Sequence, residues 1–107
     1  MTFQEINPMI ESIGLPSNYY QWPESKAPDL PYNLFYYPER ADFFADSINY
    51  QKITVLNIEF YSEEKDFENE ELIEAVLEQY GLTYSKEEQY IDSERMYEVL
   101  YVINVCL

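Results

Sequence analysis

Apolar side chains recur at helical spacing near the start of the chain. Three isoleucines fall on one helical face: Ile6, Ile10 and Ile13. Thr2 with Glu5 is typical of a capping box, whereas Asn7 followed by Pro8 is typical of a second possible helix start. Gly14 provides a stop. The pattern predicts a short amphipathic helix over residues 2–15 with a bend near Pro8.

A second helical pattern occupies residues 69–81. Asn69 is a candidate N-cap, and Glu70 and Glu71 would place negative charge at the positive end of the helix dipole. One continuous apolar stripe follows: Leu72, Ile73, Val76, Leu77 and Tyr80. Gly81 can adopt the left-handed conformation that often ends a helix. This is the best-marked helix of the sequence.

Four other stretches are rich in strand-forming residues, and the longer ones alternate between two faces. They lie at residues 32–37, 53–61, 82–91 and 95–107. In the second, Leu56, Ile58 and Phe60 mark the core side. The order α-β-β-α-β-β predicts an α+β single domain over residues 1–107, with a mainly antiparallel four-stranded sheet and two helices packed on one face.

Two segments between these elements contain aromatic residues without a clear period. Residues 16–31 hold four prolines, which exclude a continuous helix or central strand and indicate an arm. Tyr19, Tyr20 and Trp22 lie in this arm, as binding anchors or as a cover for the edge of the core. Residues 43–50, beside the second predicted strand, are interpreted as an aromatic-rich loop.

Composition narrows the class of protein. Six Lys and Arg against 21 Asp and Glu give a net charge of −15, which repels phosphate backbones and anionic lipids. Three interpretations of this acidity are open: it keeps an aromatic-rich surface in solution, it lines a negatively charged passage, or it mimics DNA. The single Cys106 excludes an intramolecular disulfide, and no apolar run is long enough to cross a bilayer. We expect synthesis in a reducing cytosol and no signal peptide.

The sequence offers little material for catalysis. It contains no His, which removes the commonest general base and the usual partner of a Ser or Cys nucleophile. Only two Gly are present, so no glycine-rich phosphate loop can be written. A paired-acid glycosidase or a magnesium site through Glu63, Glu64, Asp66, or Asp42 with Asp46, is the alternative that the carboxylates leave open. The run at residues 62–71 lacks the spacing and central Gly of a calcium loop and is interpreted as solvated charge. We therefore expect no catalytic residue, cofactor or metal.

Several segments, in order, resemble one family of phage proteins. They include GLP at residues 14–16, ADSINY at 45–50, FYSEEKD at 60–66 and YIDSERMYEVLY at 90–101. From about Ile13 to Val105, the chain resembles tail terminator, or tail completion, proteins of long-tailed phages and prophages of Gram-positive bacteria. It departs from them in its opening, with Asn7 and Pro8, and in its long proline-rich arm.

The resemblance implies a structural role in the virion without catalysis. Such a protein forms a ring, typically a hexamer, on the last turn of the tail tube, stops tail growth and docks to the head connector. Its partners would be further copies of itself, the tail tube protein and the head-tail connector protein, with DNA passing through the lumen without specific binding and no membrane contact. It would be made in the host cytoplasm and reside at the head-tail junction of the virion.

Two groups of residues are candidates for this role. Subunit contacts would use aromatic side chains, which are common binding hot spots, and one neighbouring acid. These candidates are Phe43, Phe44, Asp46, Tyr50, Tyr19, Tyr20 and Trp22. An acidic lumen, which would keep DNA from adhering, would use the turn after the second strand. Those candidates are Glu63, Glu64, Asp66 and Glu68. Capping of the core and plain solvation are the respective structural alternatives.

A different class of protein would also fit the charge. A small acidic DNA mimic, or an immunity-type inhibitor, would bind one basic partner protein with strong salt dependence. A DNA mimic should present its carboxylates in phosphate-like rows, whereas here they concentrate in turns and near one helix start. This distribution favours the ring subunit.

Overall fold

The computed structural model describes residues 1–106, which form two helices, a mixed five-stranded sheet and a separate two-stranded hairpin. The elements in chain order are α1 (Phe3–Glu11), β1 (Ser17–Tyr19), β2 (Tyr32–Tyr36), β3 (Phe43–Ala45), β4 (Ile48–Gln51), β5 (Ile53–Ser62), α2 (Phe67–Gln79), β6 (Tyr84–Ile91) and β7 (Met96–Cys106). This is a small α+β domain, as the sequence predicts.

The large sheet has the strand order β1-β2-β5-β7-β6. Its centre is the long antiparallel pair of β5 and β7, which runs in register from Ile53 opposite Cys106 to Ser62 opposite Tyr97. The strand β2 pairs antiparallel with the other side of β5, and β6 pairs antiparallel with β7. Only β1 is parallel to its neighbour, β2.

The predicted four-stranded sheet is wrong in its strand count. All four predicted strands exist as β2, β5, β6 and β7, although the predicted end of the last one, Leu107, lies outside the described residues. The fifth strand, β1, lies inside the predicted arm and has only three residues, too few to show a period of two. The predicted aromatic loop is the β3–β4 hairpin.

The hairpin escapes sequence analysis because its turn lacks glycine. Asp46 and Ser47 are the two turn residues, and both have positive φ angles, 51° and 64°. Two positive φ values are what a two-residue type I′ turn requires, and its usual sequence signal is Asn-Gly or Asp-Gly. Asp tolerates this conformation because its short polar side chain can hydrogen-bond locally, so Asp46 has a structural role.

Both helices pack on one face of the sheet, as predicted. The buried core that they share with the sheet comprises Ile6, Met9, Ile10, Ile13, Phe35, Leu56, Ile58, Phe60, Ile73, Val76, Leu77, Val99, Tyr101, Ile103 and Val105. Leu72 and Tyr80, predicted to join this stripe, are 45% and 39% exposed. Besides Ile73, Val76 and Leu77, the helix α2 buries Glu70, which is 1% exposed.

The two helix starts differ in how well the sequence predicts them. In α1 the Glu5 carboxylate accepts a hydrogen bond from the Thr2 amide at 3.1 Å, as in the expected capping box, and Pro8 lies within the helix. The helix α2 begins earlier than predicted, because its N-cap is Asp66, which accepts from the Asn69 amide at 3.0 Å. Gly81 has φ of +70° after α2, as predicted.

Candidate interaction surface

The β3–β4 hairpin is the most exposed apolar part of the domain. Phe43, Phe44, Ile48 and Tyr50 are 60%, 67%, 61% and 71% exposed. The rings of Phe43 and Tyr50 pair edge to face with centroids 6.3 Å apart, and the pairing is irregular between Phe43 and Phe44. Clustered exposed aromatics of this kind mark interaction sites on soluble proteins.

One carboxylate fastens the base of the hairpin. The Asp42 side chain is only 4% exposed, and it accepts both Nε and Nη2 of Arg40, at 2.8 and 2.7 Å. It also accepts the Ile53 amide at 3.0 Å and the Asn49 side-chain amide. The Arg40 hydrogen bonds, helped by those from Ile53 and Asn49, lower the pKa of Asp42 to about 2. Asp42 therefore joins Arg40 in the segment before the hairpin, Asn49 in β4 and Ile53 at the start of β5.

The segment that contains the hairpin, residues 40–52, is electrically neutral in a strongly acidic chain. Residues 40–52 contain two cations, Arg40 and Lys52, and two acids, Asp42 and Asp46. The rest of the chain has the other four cations against nineteen acids, so it carries all of the net charge of −15. The hairpin can therefore approach another acidic surface without the repulsion that the rest of the molecule would meet.

The arm aromatics lie along the edge of the sheet. Tyr20 packs on Tyr36, and Trp22 packs on Tyr32, with ring centroids 5.5 and 5.4 Å apart. Tyr19 belongs to β1 and contacts the ring of Phe35. Tyr19 and Tyr20 remain 48% and 60% exposed. These contacts match the covering role that was one of the two interpretations, while the exposed edges leave room for a partner.

The acidic turn predicted to line a lumen lies between β5 and α2, at the opposite end of β5 from the hairpin. Glu63 and Glu64 are exposed, as is Glu68 in the first turn of α2. Asp66 is half-buried because it caps the helix. This turn and the hairpin thus flank opposite ends of the ten-residue strand β5.

A charged network that the sequence did not reveal fixes α2 to the sheet. The buried Glu70 carboxylate accepts Lys65 Nζ at 2.6 Å, and Lys86 Nζ lies 2.7 Å from its other oxygen, in ion-pair contact at an angle outside the hydrogen-bond range. Lys86 also pairs with Glu74, which accepts the Tyr101 hydroxyl at 2.9 Å. Burial, together with the Glu74 hydrogen bond, raises the pKa of Tyr101. These contacts have the geometry of a structural clamp.

The sheet face opposite the helices, here called the open face, carries two neighbouring carboxyls. Glu98 on β7 accepts the Tyr61 hydroxyl at 2.7 Å and the Gln89 amide at 2.8 Å. Partial burial and the nearby Glu98 charge raise the pKa of Glu59 to about 7. Beside Glu98, over β6 and β7, lies a shallow groove of about 540 Å³ with Leu100, Glu87, Glu88 and Gln89 in its lining.

Comparison with known proteins does not assign a family: no protein-family model matches this chain, and no curated protein sequence matches it significantly. In residues 1–106, neither helix is long and apolar enough to span a membrane. The described residues also contain no group of three or more acidic or cysteine side chains arranged to hold a metal ion.

Proposed function

We propose that this chain is a phage tail terminator subunit that assembles into a ring, closes the tail tube and joins the tail to the head connector. The proposal starts from the sequence resemblance and is carried by one structural observation. The aromatic β3–β4 hairpin lies in a neutral segment of an acidic chain, and hydrogen bonds to Asp42 hold its base. In this role the protein acts through shape and contact, without catalysis or a cofactor.

The hairpin supports self-association because its apolar side chains remain exposed to solvent in the single chain. Four large side chains with exposures of 60–71% project from two short strands whose base is tied by Asp42. A partner that covered them would bury aromatic rings of the kind that dominate interface energetics. Because the base is held by several hydrogen bonds, little ordering of the backbone would oppose association.

The position of the acidic turn also fits a ring. Glu63, Glu64 and Glu68 lie at the end of the domain away from the hairpin, and their side chains are exposed. If the hairpins join neighbouring subunits, this acidic end is free to face the lumen, where like charge keeps DNA from adhering. Asp66 is already used as the cap of α2 and would contribute less.

A matched pair of variants tests the role of the hairpin. Phe44 and Phe67 are both 67% exposed, but Phe44 lies in the hairpin and Phe67 opens α2. We expect Phe44→Ser to weaken ring formation by roughly tenfold or more, as for a hot-spot aromatic, and Phe67→Ser to change it little. The measurements are mass by light scattering at high protein concentration and negative-stain imaging with tubes of the tail tube protein.

The same measurements separate the alternative class. A chain that stays monomeric even with tail tubes, and instead binds a basic nuclease or DNA-binding protein with steep salt dependence, would be an acidic inhibitor. Deletion of the gene from a phage that carries it gives the decisive biological result. Tails of uniform length joined normally to filled heads would contradict the proposed function.

A further inference from the structure

The open face lacks a cation where its two carboxyls meet. Ion pairs in residues 1–106 involve Arg40, Lys65 and Lys86, and neither Glu59 nor Glu98 is among their acidic partners. Glu88, which also lines the groove beside Glu98, is already paired with Lys65. The Glu98 carboxylate accepts hydrogen bonds from the Tyr61 hydroxyl and the Gln89 amide, and the pKa of Glu59 beside it is raised by partial burial and by the charge of Glu98. An incoming ammonium group would therefore be favoured here.

The groove next to Glu98 combines an apolar patch with negatively charged side chains, as a binding surface for an apolar and cationic partner would. Leu100, which is partly exposed, contributes an apolar patch, and Glu87 and Glu98 supply negative charge around it. A complementary partner would carry an exposed apolar side chain and a nearby free cation, and it would carry little negative charge of its own.

The β3–β4 hairpin of the same protein has these properties. It exposes four large apolar side chains, its segment is neutral, and Lys52 follows β4 directly. The Lys52 side chain is exposed and pairs with no acid among the described residues. In a chain of net charge −15, this is the segment best suited to approach an acidic face.

We propose that the groove over β6 and β7 receives the β3–β4 hairpin of a second copy of this chain, with hairpin rings against Leu100 and the Lys52 ammonium beside Glu98. The inference rests on the proposed function, because it names the contact by which ring subunits join.

The contact has to be made between copies. The hairpin leaves the sheet at Ile53, whereas Glu98 pairs with Tyr61, which lies eight positions further along β5. At a strand rise of about 3.3 Å per residue, these points are about 26 Å apart, beyond the reach of a hairpin with strands of three and four residues. Two different surfaces on one chain make a heterologous contact, which closes into a ring or continues as a filament.

Disulfide trapping tests the contact directly. One population carries Phe44→Cys and the other Leu100→Cys, both with Cys106→Ser because the Cys106 thiol is exposed and could crosslink by itself. The control replaces Leu100→Cys with Glu71→Cys, at an exposed position on α2. Under mild oxidation we expect the Phe44→Cys and Leu100→Cys pair to crosslink roughly tenfold more than the control, because docking raises the effective thiol concentration. Equal yields would overturn the inference.

A charge exchange tests the position of Lys52. Adding Lys52→Glu to the hairpin partner should lower the crosslinking yield about tenfold, and adding Glu98→Lys to the groove partner should restore it. Circular dichroism checks that each variant is folded. If Lys52→Glu leaves the yield unchanged, or if Glu98→Lys in a folded partner gives no restoration, the assigned ion pair is wrong.

The outcomes separate this inference from the proposed function. Rings without specific crosslinking would overturn the hairpin-to-groove contact and leave the ring proposal intact. Specific crosslinking without rings or tube binding would support the contact and contradict the tail role. A protein that neither crosslinks specifically nor assembles would contradict both.

Discussion

The two faces of the large sheet differ in how their charged groups are balanced. On the helix-covered face, Glu70 contacts both Lys65 and Lys86, so a buried carboxylate is neutralised within the chain. On the open face, Glu59 and Glu98 lie together with no cation from residues 1–106 paired to them. The buried carboxylate on the covered face is neutralised within one copy, whereas the proposed contact would bring a cation to the open face from a second copy.

The same difference holds for apolar side chains in the elements attached to the sheet. The helix α2 buries Ile73 completely against the sheet, while the hairpin leaves Ile48 at 61% exposure. Both elements are anchored by a nearly buried carboxylate, Glu70 for α2 and Asp42 for the hairpin. Anchoring without burial fits the proposed contact of the hairpin with a second copy of the chain.

The largest expected effect is a difference in the free energy of unfolding between alanine variants of two isoleucines, one buried and one exposed. Ile73→Ala should lower the free energy of unfolding by about 3 kcal/mol, since it removes buried methyl groups and leaves a cavity. Ile48→Ala should change it by less than about 0.5 kcal/mol, because the side chain already lies mostly in water. Urea denaturation of the isolated protein measures both. Similar losses would show that the hairpin packs on its own domain, which would break the comparison.

A smaller effect is expected from the buried carboxylate. Glu70→Gln should lower the free energy of unfolding by about 2 kcal/mol, because the interactions with Lys65 and Lys86 weaken while both ammonium groups can still turn partly to water. The control is Glu71→Gln, which removes the same charge from an exposed neighbouring position. Equal stabilities of the two variants would mean that Glu70 is not the anchor of α2.

Sequence patterns predicted most of the fold because the long elements carry strong periodicity. The strand β5 is buried over most of its ten residues, β7 alternates between buried and more exposed positions from Val99 to Cys106, and both helices end near a glycine with positive φ. Sequence patterns did not predict the short strand β1 or the β3–β4 hairpin. The strand β1 follows a proline and depends on tertiary pairing with β2, and the Asp46–Ser47 turn lacks the glycine that signals a hairpin.

The candidate surface was predicted only in part for a related reason. Aromatic residues such as Phe44 and Tyr50 can be recognised in a polar stretch of the sequence, so they were named as candidate contacts. The pairing of Glu59 with Glu98 could not be seen, because these residues are 39 positions apart and meet only through the register of β5 and β7. Alternation in both strands places each on the open face, but register has to be known to bring them together.

The smallest predicted effect concerns Glu59 and Glu98 on the open face. Neutralising Glu59 should raise the free energy of unfolding, whereas neutralising Glu70 on the covered face should lower it. Four titratable side chains surround Glu59: Tyr20, Tyr36, Tyr61 and Glu98. The pKa of Glu59 is raised from 4.5 to about 7, so the folded protein holds a proton that the unfolded chain releases between these values. The free energy of unfolding should therefore fall as pH rises through this window, by about 1 kcal/mol after solvent screening of a partly exposed group.

Glu59→Gln should remove this dependence and stabilise the isolated protein at pH 8, in contrast to the loss expected for Glu70→Gln. Asp42, with a pKa of about 2, does not titrate in the same window. Glu87→Gln, on the same face and with the same change in net charge, is the matched control. Urea denaturation at pH 5 and pH 8 decides the matter: if Glu59→Gln and Glu87→Gln respond alike, general repulsion within a chain of net charge −15 explains the pH dependence, and the open face carries no specific demand for a cation.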